Sequence, residues 1–292
     1  MFYREPVSRK IFVVFNYIFL GIAAIICIYP MLHILAVSFS SNEAVNAGLV
    51  NIWPLGFQLS TYKSIVGDTK FYTSFSVSVE RTILGIAINM LLTVLAAYPL
   101  SKSKANFKAR DFYMWFFVFT MLFSGGLIPG YLIVKDTGLI DTIWALIIPG
   151  AVPVFNVILL QNFFKALPNE LSEAAHIDGA GEWTTLFRIL LPLCKPVLAT
   201  LILFVAVSHW NAWFDGMLYM NRPVHYPLQT YLQTIVVQVN LKAITNLSDV
   251  GNVCQENSKA AQIIIAMVPI LCIYPFLQKY FTKGIILGSV KG

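Results

Sequence analysis

The sequence predicts an all-α integral membrane protein with six transmembrane helices, on the basis of its composition, its long apolar runs and its distribution of positive charge. Of its 292 residues, 58% are hydrophobic and 12% are charged, and the mean hydropathy is +0.72. Soluble globular chains carry about 25% charged residues. Half that share is too small to cover the surface of a soluble protein, so the composition excludes a soluble enzyme, a disordered chain and a fibrous chain.

Six mostly apolar runs are long enough to cross a bilayer, whose hydrocarbon core of about 30 Å needs roughly 20 helical residues. The first run is too long for the apolar region of a signal peptide, and no small-residue cleavage motif follows it, so we expect it to remain as the first membrane helix. A short cytoplasmic N-terminus, 1–10, and one transmembrane domain, 11–292, are therefore predicted. The expected spans lie near 11–37, 75–100, 111–134, 142–164, 196–218 and 259–281.

Positive charge predicts the orientation, because Lys and Arg are enriched in cytoplasmic loops. With the N-terminus inside, 13 of the 20 Lys and Arg residues fall on the cytoplasmic side, and the densest group is Lys102–Arg110. This distribution favours an orientation with both the N-terminus and the C-terminus on the cytoplasmic side (N-in, C-in). Two long segments then lie outside: 38–74, which is rich in aromatic residues and suits the membrane interface, and 219–258, which is polar.

Segment 165–196, between the fourth and fifth spans, is predicted to form two short helices at the cytoplasmic surface. Pro168 suits a first helical turn, and Asp178-Gly179 suits a C-terminal turn with Gly in the left-handed conformation. A second helix is expected from about Glu182 to Leu190, with Pro192 ending it. The segment is either a connector that rests on lipid headgroups or a docking element for another protein.

The order of residues in this segment favours docking. It reads Glu173-Ala174-Ala175, then Asp178-Gly179-Ala180, and then Phe187, Ile189, Leu191-Pro192 and Pro196. This order and spacing resemble the EAA loop of the permeases of binding-protein-dependent ABC importers, and 165–196 is called the EAA loop below.

Further stretches of the chain are similar to sugar permeases of that family. They are Ala96–Ser101, Trp210-Asn211 and the ending Tyr280–Gly284 with Val290–Gly292. Ser124–Pro129 and Gly138–Asp141 resemble a subgroup associated with complex oligosaccharides, some of them uronate-containing. Ala212 stands where the Trp-Asn signature more commonly has an acidic or small polar residue.

The resemblance implies a type I ABC importer permease fold in a multi-pass protein of the bacterial cytoplasmic membrane. The implied partners are a second, different permease subunit, two cytoplasmic ATPases, an extracytoplasmic solute-binding protein and a carbohydrate. It also implies that Glu173 pairs with a basic residue of the ATPase and that Gly179 marks a tight turn. The implied coupling residues are Glu173, Ala174, Ala175, Asp178, Gly179, Ala180, Phe187 and Pro192.

The residues themselves predict a transport subunit rather than an enzyme. The chain has no G-x-x-x-x-G-K-[ST] phosphate loop, so ATP and Mg²⁺ are expected on a partner ATPase, with no cofactor in this chain. Its four cysteines are far apart and include no C-x-x-C pair, so we expect no metal site. No basic run alternates with aromatic residues, and nucleic acid is not an expected partner.

Polar residues inside the membrane are candidates for the transport path. The fifth span has the densest group: Ser208, His209, Trp210, Asn211, Trp213 and Asp215. On one continuous helix the two Trp residues share a face, and Asn211 and Asp215 share another. Both faces cannot line one path, so part of this group is expected to pack against lipid or a neighbouring helix. Glu80-Arg81 is expected to pair locally or to face the aqueous mouth, and Asn89 is a weaker path candidate.

Three functions remain open from the sequence. The first is a sugar-importer permease, which the Trp-Asn stretch and the chain ending favour. The second is a permease of the same superfamily for another solute, such as a polyamine or an anion. The third is a self-contained carrier or channel, against which the absence of an internal repeat argues.

Overall fold

The computed structural model describes residues 7–234 and 255–288, and within this part every regular element is helical. Three 3-10 stretches, Ile143–Leu146, Ile148–Gly150 and Pro223–His225, and one π-helical stretch, Thr185–Leu190, connect the α-helices. The α-helices are α1 (Val7–Phe39), α2 (Asn42–Asn46), α3 (Ser60–Val66), α4 (Thr69–Ser101), α5 (Arg110–Leu122), α6 (Leu127–Asp136), α7 (Val154–Ala166), α8 (Glu170–Ile177), α9 (Glu182–Thr184), α10 (Leu191–Leu193), α11 (Lys195–Asn211), α12 (Phe214–Tyr219) and α13 (Gln255–Gly288).

Three continuous helices in the described residues are long and apolar enough to span a membrane: Ser8–Phe39, Thr69–Ser101 and Glu256–Ile273. Three bent pairs also pass this test, so the number of spans is six when each bent pair is counted as one. The pairs are Arg110–Leu122 with Leu127–Asp136, bent by 113°, Ile143–Gly150 with Val154–Ala166, bent by 50°, and Glu182–Leu193 with Lys195–Asn211, bent by 85°.

The expected spans near 111–134 and 142–164 therefore each contain a break. The expected span near 196–218 begins after the third break, at Cys194, and is interrupted again between α11 and α12. Gly126, with φ +92°, lies in the first break, in a conformation that few other residues adopt. Pro153 lies in the second break, Pro149 lies in the 3-10 stretch just before it, and Pro196 follows the third break. Proline supplies no backbone donor and obstructs the preceding turn. Broken helices in a membrane protein are tolerated where protein or a water-filled cavity satisfies the freed backbone groups.

The chain divides into two compact units, each described by itself. The first contains the described residues of Met1–Thr69 and Thr234–Met267. In it, the Phe39 ring stacks on Phe57 and Tyr62, with ring centroids 5.4 and 4.9 Å apart. Nδ2 of Asn257 donates a hydrogen bond of 2.6 Å to the backbone carbonyl of Ser40. The predicted outer segment 38–74 is therefore packed and partly helical, and residues 235–254 of the other predicted outer segment lie outside the described residues.

The second unit contains Lys70–Gln233 and the described residues of Val268–Gly292. Its core packs the C-terminal half of α4 against α7, the π-helical stretch and the start of α11. Nε2 of the buried Gln161 donates to the backbone carbonyl of Leu100 at 3.1 Å, which satisfies an acceptor near the end of α4. The core residues are Val94, Ala97, Tyr98, Leu100, Val157, Leu160, Phe164, Leu186, Leu190, Cys194, Val197 and Leu201.

Candidate functional site: the EAA loop and a polar cavity between broken helices

The turn of the EAA loop has the geometry that its sequence predicts. Gly179 has φ +79°, and its N–H donates to the carbonyl of His176 at 3.0 Å. The N–H of Ala180 donates to the carbonyl of Ala175 at 2.9 Å. These bonds close the end of α8 with a left-handed glycine, as C-terminal helix caps commonly do.

The second arm of the loop is longer than the sequence predicts. It continues from Glu182 through Leu193, so Pro192 does not end it. Pro192 lies in the first turn of α10, where a proline's missing N–H is tolerated. Thr185–Leu190 is π-helical, and this wider hydrogen-bond ladder precedes the 85° bend into α11.

Apolar side chains of the EAA loop are open to their surroundings. Trp183 and Phe187 stack with ring centroids 6.0 Å apart and are 66% and 47% exposed. Ile177 is 86% exposed, whereas Ala175 is buried against the rest of the unit. A small cluster of exposed aromatic and aliphatic residues of this kind marks a surface for another protein or for lipid.

Glu182 ties the second arm of the EAA loop to the end of α4. The Tyr98 hydroxyl donates to its carboxylate, and Nζ of Lys102 lies 2.9 Å from Oε2. Nε2 of His176 lies 3.5 Å from Oε1. Burial alone would lower the pKa of Lys102, but its hydrogen bonds to Tyr98 and Glu182 outweigh burial and raise it. Lys102 is therefore positively charged at neutral pH, and this polar cluster connects the loop to a spanning helix.

A second feature is a cavity of about 640 Å³ that is bordered by α4, α7, α11, α12 and the 3-10 stretches before α7. Two of the three broken spans contribute its wall, through Pro149 and Pro153 on one side and Ala212 on another. Irregular backbone at membrane depth is tolerated where it lines a cavity. The polar side chains at the wall are those of Arg81, Asn89, Asn156, Ser208, His209 and Asp215.

Arg81 is the most buried charged group of this cavity, with 2% of its side chain exposed. Both of its terminal nitrogens donate to the carboxylate of Asp215, whose side chain is 27% exposed. Nη1 also donates to the carbonyl of Ala212 at 3.2 Å, in the break between α11 and α12. Arg81 thus pairs across 134 residues of sequence rather than with its neighbour Glu80, and it satisfies a carbonyl that the helix break leaves free.

His209 and Asn89 also line the cavity and contact each other. Nδ2 of Asn89 lies 3.2 Å from Nε2 of His209 in a buried hydrogen bond. The His209 ring covers Gly85, where an added Cβ would come within 2.5 Å of it. Arg81, Gly85 and Asn89 are spaced four residues apart and share one face of α4. A close approach of α11 to α4 therefore requires glycine at position 85.

The six predicted path residues of the fifth span do not lie together. Ser208, His209 and Asp215 border the cavity. Trp210 instead packs edge-on against Phe75, with ring centroids 5.7 Å apart, in an apolar groove on another face. Asn211 is exposed and borders neither cavity nor groove, and Trp213 packs edge-on against Phe214.

The expectation that Asn211 and Asp215 share a helical face was wrong, because α11 ends at Asn211 and α12 begins at Phe214. Arg81 was expected to pair locally or to face the aqueous mouth, and Asn89 was a weaker path candidate. An arginine inside a predicted span was the available signal, since such charges almost always have a function or a partner.

Asp141 anchors the backbone that follows α12. It has φ +62°, and its carboxylate accepts bonds from the N–H groups of Asn221 and Arg222, at 3.1 and 3.3 Å. Nε of Arg222 and Nδ1 of His225 lie 2.7 and 2.9 Å from it. Burial alone would raise the pKa of Asp141, but the bonds from His225 and from the two backbone groups lower it to about 2. Asp141 is therefore ionised, and its carboxylate binds four hydrogen-bond donors.

This fold is that of an all-helical membrane protein with a helix–turn–helix segment between two of its apolar spans. The chain belongs to the family of the binding-protein-dependent transport system inner membrane component, whose model matches residues 2–287. The resemblance to this family that the sequence predicts is thereby confirmed.

Relatives match over nearly the whole chain. Protein LplC of Bacillus subtilis (strain 168) is 44% identical over 287 residues, covering 98% of this chain and 96% of LplC. The polygalacturonan/rhamnogalacturonan transport system permease protein YtcP of the same organism is 41% identical over 98% of this chain and 100% of YtcP. A solved chain of a bacterial ABC transporter involved in import of the acidic polysaccharide alginate superposes with a TM-score of 0.86 at 33% identity, covering 95% of this chain and 99% of that one.

Proposed function

We propose that this chain is a permease subunit of an ATP-driven importer for uronate-containing oligosaccharides. The observation that carries the proposal is the EAA loop, with its left-handed turn at Gly179, in a chain that matches the transport family over residues 2–287. The acidic substrate class is supported by the relative YtcP, a polygalacturonan/rhamnogalacturonan permease, and by the structural similarity to a transporter involved in alginate import.

The proposed complex sits in the bacterial cytoplasmic membrane with both termini of this chain inside. It contains a second, different permease subunit, two ATPases that bind ATP and Mg²⁺, and an extracytoplasmic binding protein. The excess of Lys and Arg on the proposed inner side supports this orientation, and the family's description as binding-protein-dependent supports the last partner.

Force from the ATPase enters through the EAA loop in this proposal. The exposed pair Trp183 and Phe187 and the exposed carboxylate of Glu173 are available for a groove of the ATPase. Two routes lead onward from the loop: Glu182 bonds to Tyr98 and Lys102 at the end of α4, and α10 continues into α11. Helices α4 and α11 carry Arg81, Asn89 and His209, so displacement of the loop moves two walls of the cavity.

The cavity is the proposed sugar path within this chain. Sugars are recognised by hydrogen-bonding side chains, and Ser208, His209 and Asp215 of the predicted group line it together with Arg81 and Asn89. Asn211, Trp210 and Trp213 lie away from its wall, and any contact that they make with sugar involves a surface completed by the partner permease.

Uptake by the reconstituted complex tests the proposal. The chain would be purified with the permease, ATPases and binding protein encoded beside it and placed in proteoliposomes with internal ATP. We expect ATP-dependent uptake of labelled oligogalacturonate and little uptake of a neutral maltooligosaccharide. Uptake of a polyamine or an inorganic anion instead of either sugar would support a different solute, and uptake without ATP or ATPase would support a self-contained carrier.

A further inference from the structure

The ion pair in the cavity is placed so that an acidic substrate can compete with it. Arg81 lies on the continuous helix α4 and is 2% exposed, whereas Asp215 lies on the six-residue helix α12 after a break and is 27% exposed. The two partners are therefore unequal: the cation is enclosed, and the anion is partly exposed.

Two buried polar atoms of this wall have no hydrogen-bond partner within the part of the chain that the structure describes. They are Nε of Arg81 and Oδ1 of Asn89. Buried polar atoms are nearly always satisfied, and each exception requires an explanation. A ligand with an anionic acceptor and a hydroxyl donor, such as a sugar acid, offers the partner that each atom lacks.

We infer that Arg81 is a carboxylate-binding residue of the sugar path, and that Asp215 occupies the place of the substrate's carboxylate in the sugar-free state. The inference rests on the proposed function and assigns the acid recognition of this subunit to one site. When a uronate enters, its carboxylate displaces that of Asp215 and binds the guanidinium of Arg81. Asp215 then faces the open side of the cavity, where water solvates it.

The exchange discriminates against neutral sugars. Arginine binds a carboxylate through two parallel N–H bonds, and a uronate reproduces this geometry. A neutral sugar cannot replace Asp215, since Arg81 would then be a buried cation without a counter-ion. Specificity in this scheme comes from the penalty on the wrong substrate as well as from attraction to the right one.

A purely structural ion pair makes a different prediction, so binding experiments separate the two roles. The probes would be labelled trigalacturonate and its fully methyl-esterified form, which has the same rings without charge. Binding would be measured on the purified whole membrane complex, without binding protein. Removing only Arg81 leaves Asp215 unpaired and risks misassembly, so the main variant is the double substitution Arg81→Gln with Asp215→Asn, which stays neutral.

We expect the wild-type complex to bind the acid at least tenfold more tightly than the ester, and the double variant to bind both within about twofold of each other. Asp215→Asn alone removes the competitor but leaves Arg81 as a buried cation without a counter-ion. In the fraction of this variant that assembles, binding of the acid should be severalfold tighter, with binding of the ester unchanged. Lys135→Gln, which removes an exposed cation on α6 outside the cavity, should behave like wild type.

Retained acid preference in the assembled double variant would overturn the inference. So would equal loss of acid and ester binding, which would make the pair structural only. Failure of the proposed function is distinguishable from both, because the wild-type complex would then show no preference for the acid and no ATP-dependent uptake of it.

Discussion

The hydroxyl of Tyr98, near the end of the spanning helix α4, donates a hydrogen bond to the carboxylate of Glu182, in the second arm of the EAA loop. Lys102 binds the same carboxylate, 2.9 Å away, and lies 4.4 Å from the centroid of the Tyr98 ring. Because the loop is attached to α4 here as well as through the chain at α10, movement of the loop is expected to reach two helices at once.

Weakening the contacts of Glu182 with Tyr98 and Lys102 should reduce the coupling of ATP hydrolysis to sugar uptake more than it reduces assembly of the complex. Tyr98→Phe removes the hydrogen bond to the Glu182 carboxylate, and Glu182→Gln removes the negative charge that Lys102 pairs with. A hydrogen bond that involves a charged group is worth about 1.5–3 kcal/mol. Because Glu182 is more than half exposed, we expect the lower end of this range or less. The ratio of sugar taken up to ATP hydrolysed should fall in both variants.

Glu170→Gln is the matched control, since Glu170 is an exposed carboxylate in the first turn of α8 with no contact to Tyr98 or Lys102. Its transport ratio should equal that of wild type. An unchanged ratio of uptake to hydrolysis in Glu182→Gln and Tyr98→Phe would mean that movement of the loop is not transmitted to α4 through these contacts.

Gly85 should tolerate no larger residue. In Gly85→Ala the new Cβ meets the His209 ring at 2.5 Å, so α4 and α11 must separate or the ring must leave Asn89. Overpacking of this kind destabilises a protein by about 1–3 kcal/mol. We expect a lower melting temperature of the purified complex. The same substitution at Gly130 in α6, where nothing lies within 4 Å, should have little effect, and equal behaviour of the two variants would contradict this packing.

Asp141 should contribute stability in a defined pH range. Its pKa in the folded chain, about 2, lies below the ordinary value of 3.8, so its contribution is fully present above about pH 4 and is lost as the pH falls toward 2. Asp141→Asn should lower the melting temperature of the complex by an amount that is constant between pH 7 and pH 5 and smaller below pH 4. A difference that is already lost above pH 5 would contradict this account of Asp141.

The backbone at Asp141 gives a second comparison. Its φ of +62° is easier for Asn than for Ala, because Asn visits the left-handed region more readily. Asp141→Ala should therefore be less stable than Asp141→Asn by about 1 kcal/mol. Equal melting temperatures for the two variants would show that the conformation at 141 carries no strain.

The proposed orientation is tested by labelling introduced cysteines. Asn221 and Asn106 are both exposed, and they fall on opposite sides of the membrane if the N-terminus is inside. A membrane-impermeant thiol reagent added to intact cells should label Asn221→Cys and leave Asn106→Cys unlabelled until the membrane is opened. The three native cysteines that the structure describes, Cys27, Cys194 and Cys272, together with Cys254, would first be replaced by Ser. Labelling of Asn106→Cys from outside would reverse the orientation.

The EAA loop was predictable because its information is local. A glycine after a short helix specifies its own turn, and the observed φ at Gly179 is the one that turn requires. The cavity was not predictable, because Arg81 and Asp215 are 134 residues apart and meet only after α11 breaks at Ala212. Hydropathy detects the apolar character of a span but carries little information about breaks in its helix. Asn211 and Asp215 were therefore placed on one helix, which does not continue between them.

The central claim, that the EAA loop couples ATP hydrolysis to sugar import, is tested most directly at Gly179. A Cβ at this position meets nothing within 4 Å, so Gly179→Val disturbs only the backbone conformation of the turn, and Gly179→Asn, which tolerates positive φ, is its control. Glu173→Lys would test the contact with the ATPase in the same assay. The measurement is simultaneous recording of ATP hydrolysis and oligogalacturonate uptake in proteoliposomes. The account predicts that Gly179→Val hydrolyses ATP with uptake reduced at least tenfold and that Gly179→Asn retains most uptake; a fully assembled Gly179→Val complex that imports sugar at the wild-type rate would contradict it.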